Sequence, residues 1–286
     1  MRSTQLHRDV FRAGSKTYFN SSRFFPAEVR DDVYLLYGFV RVADNYVDSV
    51  PQQVREFNQF VETYHEALGG TLTGDVIIDS FVELAERVGF DPAWTDAFLH
   101  SMELDLTKRV HATLPETLEY VYGSAEVIGL YMSRILGLSR EADEAARMLG
   151  RSMQFINFIR DINEDNTLGR TYLPVSETTL ADLTEQEARA HPREFRSFLH
   201  GQLARYREWQ AEAERGYQYI PRSYLVPIRT AADMYNWSAA QIADDPFVVY
   251  RKKVKPARPR IMAQAALNFV APRRVAGARK SMESSR

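Results

Sequence analysis

Two aspartates lie one helical turn apart at the end of an apolar stretch early in the chain. Asp44 and Asp48 are four residues apart and Arg41 precedes Asp44 by three, so all three share one face of a helix. The preceding residues 33–40 are almost wholly apolar, which predicts a helix that is buried on most sides. Two carboxylates there repel each other unless a cation offsets their charge. This pair alone leaves two interpretations open, a divalent metal site and a solvated charge cluster.

A second polar stripe lies further along the chain. Four amide and carboxylate residues occupy one arc of about 80° on a helical wheel, beside an arc of Phe and Ile: Gln154, Asn157, Asp161 and Asp165. A helix with only a structural role seldom aligns such groups beside an apolar flank, because buried polar groups need partners. The second stripe therefore favours a ligand site over an exposed ion-pair surface.

Carboxylate and amide oxygens of this kind suit Mg²⁺, with Mn²⁺ as an alternative ion. Mg²⁺ usually binds one or two carboxylates together with substrate phosphates. Metal ions that bridge carboxylates and a diphosphate offset its charge as a C–O bond ionises, and an apolar flank would keep water from the carbocation. Zinc is disfavoured because the six histidines are scattered and cysteine is absent. Four basic residues could contact phosphate directly or could be ordinary surface ion-pair residues: Lys16, Arg41, Arg160 and Arg170.

Composition limits the class of protein. The 286 residues are 45% hydrophobic and carry a formal net charge of −2, which permits a large core and gives no support for nucleic-acid binding. The lack of cysteine excludes disulfides and thiolate chemistry and fits a cytoplasmic protein. The first residues lack the apolar stretch expected of a secretory signal, and no segment approaches the ~20 apolar residues expected of a membrane span. A lipid substrate would be met from outside the membrane.

The elements that must position the two stripes are predicted to be helical nearly throughout, because glycine is sparse and strand-like alternation is rare. The predicted helices cover residues 26–48, 52–68, 75–88, 92–107, 115–137, 140–166, 193–217 and 222–244. We expect an irregular loop from Asn166 to about Pro192 and a disordered basic tail over 272–286. Ala125 and Gly129, four residues apart, are expected to permit close helix packing.

The two stripes resemble the aspartate-rich motifs of the squalene and phytoene synthase family. Segment 44–48 (Asp-Asn-Tyr-Val-Asp) is similar to the first motif. Segment 154–165, continuing into 169–174 (Gly-Arg-Thr-Tyr-Leu-Pro), is similar to the second, and this long match is highly specific. The first motif has Asn45 where family members often carry a second adjacent Asp, but both flanking aspartates remain.

Shorter segments extend the resemblance over roughly residues 10–255. Segment 15–19 (Ser-Lys-Thr-Tyr-Phe) resembles a stretch near the family's N-terminus, although Gly14 precedes it where some relatives carry His. Segment 122–125 (Tyr-Gly-Ser-Ala) resembles the helix that carries a pocket tyrosine, and segment 105–109 (Asp-Leu-Thr-Lys-Arg) also fits the family pattern.

The resemblance implies an all-α, single-domain isoprenoid-synthase helical bundle over residues 1–271, built around a central cavity with the two acidic motifs on opposite walls. It implies head-to-head condensation of two geranylgeranyl diphosphates to phytoene through a cyclopropyl diphosphate. The implied catalytic residues are Asp44, Asp48, Tyr122, Asp161 and Asp165, and the four aspartates together with Asn157 would bind the metal. The implied substrate contacts are Ser15, Lys16, Arg41, Gln154, Asn157, Arg160, Arg170, Tyr172, Tyr235 and Lys252.

Several alternatives stay open at this point. The same chemistry on farnesyl diphosphate would give dehydrosqualene, or squalene with NADPH as reductant. Some relatives are non-catalytic assembly proteins, but these tend to lose the acidic residues that this chain keeps. A terpene cyclase or chain-elongating transferase has related acidic helices, yet the long second motif argues against it. The basic run 251–255 could attract a membrane surface, and the oligomeric state is left open.

Overall fold

The computed structural model describes residues 5–14 and 25–270, and their regular structure is helical. The α-helices, in chain order, are α1 Gln5–Gly14, α2 Ala27–Asp48, α3 Val54–Leu68, α4 Val76–Val88, α5 Pro92–Thr107, α6 Leu114–Val121, α7 Val127–Ile135, α8 Asp143–Arg160, α9 Ile162–Thr167, α10 Glu185–Ala190, α11 Pro192–Arg215, α12 Arg222–Asp244, α13 Val248–Arg251 and α14 Arg258–Val270. Within these residues the β-pairing consists of one isolated bridge, Val110 to Thr171. The prediction of an all-α fold is confirmed.

Local sequence signals explain where the helices begin. The side chain of Asp75 accepts hydrogen bonds from two backbone N–H groups at the start of α4, and that of Asp91 accepts one, from Ala93, just before a first-turn proline of α5. Thr113 and Glu116 form a reciprocal capping box at the start of α6. The observed bounds lie within a few residues of the predicted ones for α2 to α5, α11 and α12.

Two predicted helices are interrupted, and both interruptions lie next to candidate site residues. The expected helix 115–137 contains a π-helix, Tyr122–Glu126, between α6 and α7. The expected helix 140–166 begins with a 3₁₀ turn and bends at Asp161, where φ is −99° and ψ is 13°. The Asp161 N–H still bonds to the Asn157 carbonyl at 2.8 Å, and Asp161 accepts from the Asp165 N–H at 2.9 Å. The second acidic stripe therefore keeps nearly helical spacing across the bend.

The core consists of two clusters of buried side chains. One gathers α1 to α5 and α7 around large aromatics such as Phe39 and Phe81, whose rings stack with centroids 3.9 Å apart. The other gathers α6, α8, α9 and α11 to α13 around Phe155, Phe195 and Tyr206. Helices from both clusters line a cavity between them.

Small residues bring the central helices into close contact. A Cβ atom on Gly129 would lie 2.1 Å from the carbonyl oxygen of Ala146, and one on Gly150 would lie 2.2 Å from that of Ala125. Any larger side chain would force α7 and the π-helix away from α8. The expectation that Ala125 and Gly129 permit close packing is confirmed. Across the described residues, no helix is both long and apolar enough to cross a bilayer.

Candidate active site

The first acidic motif lies in the last two turns of α2. Asp44 forms an ion pair with Arg41 one turn earlier on the same helix. Burial, followed by the negative charge of Asp48, raises the pKa of Asp44 to about 7. A positive charge placed at this helix end would therefore be favourable.

The second acidic motif begins in α8 and continues into α9. The Arg160 guanidinium pairs with Asp161, with 2.8 Å between Nε and Oδ1. Asp165 lies one turn further on and is the one of the four predicted aspartates that has no ion pair within the described residues. Burial, together with the charge of Asp161, raises the pKa of Asp165 to about 8.

Arg170 connects the two motifs. It follows α9 in the chain, and its side chain reaches the end of α2, where Nη1 donates to Asp48 Oδ1 at 2.9 Å and Nη2 donates to the Val47 carbonyl at 2.9 Å. Its charge also acts on Asp44 and on Asp165. The two acidic motifs thus share one buried cation and belong to a single site.

Asp105 is a central residue of this site that the sequence analysis did not assign a role. It is 2% exposed on α5 and accepts hydrogen bonds from Tyr120 Oη at 2.7 Å and from Tyr172 Oη at 2.6 Å. Burial outweighs these hydrogen bonds and raises the pKa of Asp105. The signal that could have identified it is its position on the same helical face as Phe98 and Met102, where a carboxylate is unusual.

The predicted pocket tyrosine, Tyr122, makes no hydrogen bond to an acidic side chain of the site within the described residues. Its ring packs against the Arg147 guanidinium at 5.5 Å and does not line the cavity. Tyr120, two residues earlier, lies beside the acidic site and bonds to Asp105. The reason for the difference is that Tyr120 lies in the last turn of α6, whereas Tyr122 begins the π-helix, so the two rings point in different directions.

A cavity of about 440 Å³ lies between the two cores, next to the helical turns that precede the acidic residues. Gln154 and Asn157 line it one or two turns before Asp161, Val40 lines it one turn before Asp44, and most of its other lining side chains are apolar. Along α8 the lining continues back to Ala142, a distance of about 22 Å at 1.5 Å per residue. The far end has small lining residues, among them Ala142, Ala145, Ala213 and Gly216.

Some of the remaining predicted substrate contacts lie at the site or the cavity, and others do not. Tyr235 lines the cavity, and Tyr172 is bonded to Asp105. Lys252 is exposed and forms no ion pair within the described residues, whereas its neighbour Lys253 lies 3.5 Å from Asp161 and also pairs with Glu164. Ser15, Lys16 and the tail 272–286 lie outside the described residues.

The donor set fits Mg²⁺ provided that other ligands complete the coordination. Within the described residues, no three histidine, cysteine, aspartate or glutamate side chains gather into a group that could hold a metal ion. Mg²⁺ does not need such a group, because it usually combines one or two carboxylates with phosphate oxygens and water. Asn157 Oδ1 is buried and has no hydrogen-bond partner, so it is available to a cation one turn before Asp161. Asp44 and Asp48 could hold a second ion across the site.

Charged groups of both signs, one helical turn beyond the polar lining of a long apolar cavity, define an all-helical protein suited to a ligand with an anionic head and a hydrocarbon chain. Comparison with known families agrees, since the model described as squalene/phytoene synthase matches residues 11–260. The chain belongs to the squalene/phytoene synthase family.

Individual relatives are distant. The chain is 30% identical to a 15-cis-phytoene synthase of Paracoccus sp. over 176 residues, which cover 58% of each protein. It is 24% identical to a 15-cis-phytoene synthase of Synechococcus elongatus over 264 residues, 86% of this chain and 85% of the relative. Among solved structures, squalene synthase HpnC from Alicyclobacillus acidocaldarius superposes with a TM-score of 0.76 at 19% identity, over 85% of this chain and 94% of that one. A dehydrosqualene synthase bound to a ligand gives 0.75 at 19% identity, covering 91% and 93%.

Proposed function

We propose that this protein joins two molecules of geranylgeranyl diphosphate head to head to form phytoene and two diphosphates. The observation that carries the proposal is the convergence of both acidic motifs on Arg170, one helical turn from residues that line the cavity. The family and the phytoene synthases that match the sequence support the same reaction.

The reaction proceeds in two ionisations. In the first, one C–O bond breaks, diphosphate leaves, and the allylic cation alkylates the double bond of the second substrate. Loss of a proton then closes a cyclopropane ring and leaves a cyclopropyl diphosphate. In the second, the remaining diphosphate leaves, the cation rearranges to a linear skeleton, and loss of another proton gives the neutral hydrocarbon. No reductant is consumed on this route, whereas squalene formation would require NADPH.

Each part of the site has a role in this chemistry. Bound Mg²⁺ would offset the charge of the departing diphosphate, with Asp44 and Asp48 as ligands on one wall and Asn157, Asp161 and Asp165 on the other. Arg41, Arg160 and Arg170 would contact the phosphate oxygens. The apolar lining keeps water away from the cation, which protects it from hydrolysis.

The positioning of these groups depends on the buried network behind them. Asp105 accepts from Tyr120 and Tyr172, and Arg170 Nη1 lies 3.4 Å from Tyr172 Oη. This network fixes the Arg170 guanidinium before substrate binds, so less of the binding energy is spent on ordering it.

The far end of the cavity favours the longer of the two candidate substrates. A geranylgeranyl chain is one isoprene unit longer than a farnesyl chain. The lining extends about 22 Å from Asn157 back to Ala142, next to the start of α8, and this length supports the longer chain. Dehydrosqualene or squalene formation from farnesyl diphosphate is the second candidate, favoured by the structural likeness to proteins of those names. With both acidic motifs intact, a non-catalytic role has less support.

One assay distinguishes these candidates. The purified protein is incubated with Mg²⁺ and either geranylgeranyl or farnesyl diphosphate, with and without NADPH, and the products are separated from the aqueous phase. We expect phytoene from geranylgeranyl diphosphate without NADPH, and no product after chelation of the metal. Formation of only a longer prenyl diphosphate would refute head-to-head condensation. A hydrocarbon formed only from farnesyl diphosphate would refute geranylgeranyl diphosphate as the substrate.

Because substrate and product are lipids, we also propose that the protein works in the cytoplasm at a membrane surface.

A further inference from the structure

Helix α14 has its polar and apolar faces reversed relative to an ordinary surface helix. Its inner face is held to α12 by polar contacts, in which Gln264 Nε2 and Asn268 Nδ2 each donate to Asp233 Oδ2 at 2.8 Å, and Asn268 also donates to Thr230 Oγ1 at 3.1 Å. A surface helix normally turns its apolar stripe to the core and its polar stripe to solvent. Here the anchoring groups are amides, a carboxylate and a hydroxyl.

The outer face of α14 is apolar and exposed. Its large side chains are Met262, Leu267, Phe269 and Val270, which are 62%, 60%, 77% and 80% exposed. At 100° per residue they fall within an arc of about 160°, together with two alanines. Scattered exposed apolar residues are common, but four on one face of one helix form a continuous patch.

Positive charges border this patch. Arg258 and Arg260 fall just outside the two edges of the apolar arc, and both are exposed. The Arg260 guanidinium lies 5.1 Å from the centre of the Trp237 ring on α12, so this charge is held at one edge of the patch. The sequence that follows α14 adds five positive charges, Arg273, Arg274, Arg279, Lys280 and Arg286, against one negative charge, Glu283.

We propose that the outer face of α14 is a docking surface for an anionic lipid bilayer. An apolar stripe bordered by arginines is the pattern of a helix that lies in the membrane interface, with its apolar side chains among the acyl chains and its cations among the headgroups. A second copy of this chain fits less well. Symmetric pairing would bring the arginine borders of two patches together, and a single thirteen-residue helix offers less area than the ~800 Å² per partner of a standard interface.

The position of α14 connects this surface to the cavity. α14 lies on the outer side of α12, and α12 lines the cavity through Ile228, Ala231 and Tyr235. Docking by α14 would hold the cavity one helix away from the bilayer. This link to a lipid substrate rests on the proposed function, whereas the docking surface itself rests on α14 alone.

Vesicle sedimentation of the full chain tests the proposal. Phosphatidylcholine vesicles with and without phosphatidylglycerol are mixed with the wild type and with the double variant Leu267→Ser/Phe269→Ser. Leu72→Ser serves as a matched control, because Leu72 is 87% exposed in the loop between α3 and α4. We expect wild type and the control to sediment with the anionic vesicles, and the double variant to lose binding at least about tenfold. Arg258→Gln/Arg260→Gln should also weaken binding, and added salt should weaken it further.

Three outcomes would overturn the proposal: no binding of wild type to either vesicle, equal binding by the double variant, or a dimer without lipid that the double variant dissociates. Circular dichroism melting verifies that each variant is folded. Product formation from detergent-dispersed substrate is measured on the same proteins. Vesicle binding without product would refute the proposed function alone, and product without vesicle binding would refute the docking surface alone.

Discussion

Arg170 donates a hydrogen bond to Asp48, with 2.9 Å between Nη1 and Oδ1, across 122 positions of sequence. This contact joins the loop after the second acidic motif to the end of the helix that carries the first. Asp48 remains 44% exposed while Arg170 is buried, so one side of the carboxylate is held by the protein and the other remains accessible. The ion pair therefore links Asp48 of the first motif to the segment that directly follows the second.

Replacing Arg170 should damage both activity and stability. Arg170→Ala removes the donor to Asp48 and to the Val47 carbonyl, so we expect turnover to fall about 100-fold and the free energy of unfolding to fall by about 1–2 kcal/mol. Product formation and urea unfolding measure the two effects. Arg205→Ala is the control, because Arg205 forms a comparable pair with Glu177 at 2.9 Å outside the site. Equal loss of activity in both variants would show that Arg170 has no special role.

Tyr120 and Tyr122 provide a matched pair of substitutions. Tyr120→Phe removes one of the two donors to Asp105, and we expect turnover to fall at least about tenfold because the support of Arg170 loosens. Tyr122→Phe keeps the ring against Arg147 and should leave turnover nearly unchanged. Steady-state rates on the two proteins compare them directly. A larger loss of turnover in Tyr122→Phe than in Tyr120→Phe would contradict this prediction and would support Tyr122 as the residue near the reacting carbons.

The sequence was sufficient to predict most of the helices and two acidic motifs facing one site, but not the place of Tyr120 beside Asp105. Long periodic segments with clear caps, such as α5 with Asp91 before Pro92, predict their own bounds. The π-helix that separates the directions of Tyr120 and Tyr122 has no local signature in the helical pattern, since it depends on packing of Gly123 against Ala97. Asp105 could have been identified by its place on the apolar face of α5.

The basic residues on the C-terminal side of the site show the same limit of prediction from sequence. The sequence offered several neighbouring basic residues, and nothing in their order distinguished Lys252 from Lys253. The extended backbone after α13 decides which side chain turns toward Asp161. Burial, and then the charge of Lys253, lowers the pKa of Lys255, which indicates that these cations crowd together at this edge.

The stability effect of Asp105 should depend on pH. Because burial raises the pKa of Asp105 in the folded protein, the folded state binds this proton more tightly than the unfolded state does. The resulting stabilisation is complete below the unfolded pKa of about 3.9 and is lost as the pH rises toward the folded value. We therefore expect Asp105→Asn to destabilise the protein most at low pH and progressively less as the pH rises, measured by urea unfolding at each pH.

Asp79 offers a control of opposite sign. Burial acts to raise the pKa of Asp79, but hydrogen bonds from Thr73 and Gly74 outweigh it and lower that pKa. Its contribution to stability is present above the unfolded pKa and is lost as the pH falls through the folded value. Asp79→Asn should therefore destabilise the protein more at high pH than at low pH. If the destabilisation of both variants changed with pH in the same direction, the opposite pKa shifts of Asp105 and Asp79 would be contradicted.

A bulky residue at the far end of the cavity should change the substrate. Ala142 lies about 22 Å from Asn157 along the lining, and Ala142→Phe would fill the space that we propose for the last isoprene unit. We expect the ratio of kcat/KM for geranylgeranyl over farnesyl diphosphate to fall at least about tenfold. If Ala142→Phe does not fold, Ala142→Leu is measured in its place, and we expect a smaller shift of the ratio in the same direction. Ala211→Phe on the exposed side of α11 is the control. An unchanged ratio in a folded variant would contradict a prenyl chain that reaches Ala142.

The most direct measurement is anomalous diffraction from crystals soaked with Mn²⁺ and inorganic diphosphate. We expect metal peaks within about 2.0–2.3 Å of oxygens from both acidic motifs, one near Asp44 or Asp48 and one near Asn157, Asp161 or Asp165, with diphosphate between them. Asp44→Asn/Asp161→Asn should lose these peaks while keeping the fold. Ordered Mn²⁺ and diphosphate elsewhere on the protein, with neither motif in contact, would contradict the assignment of the active site.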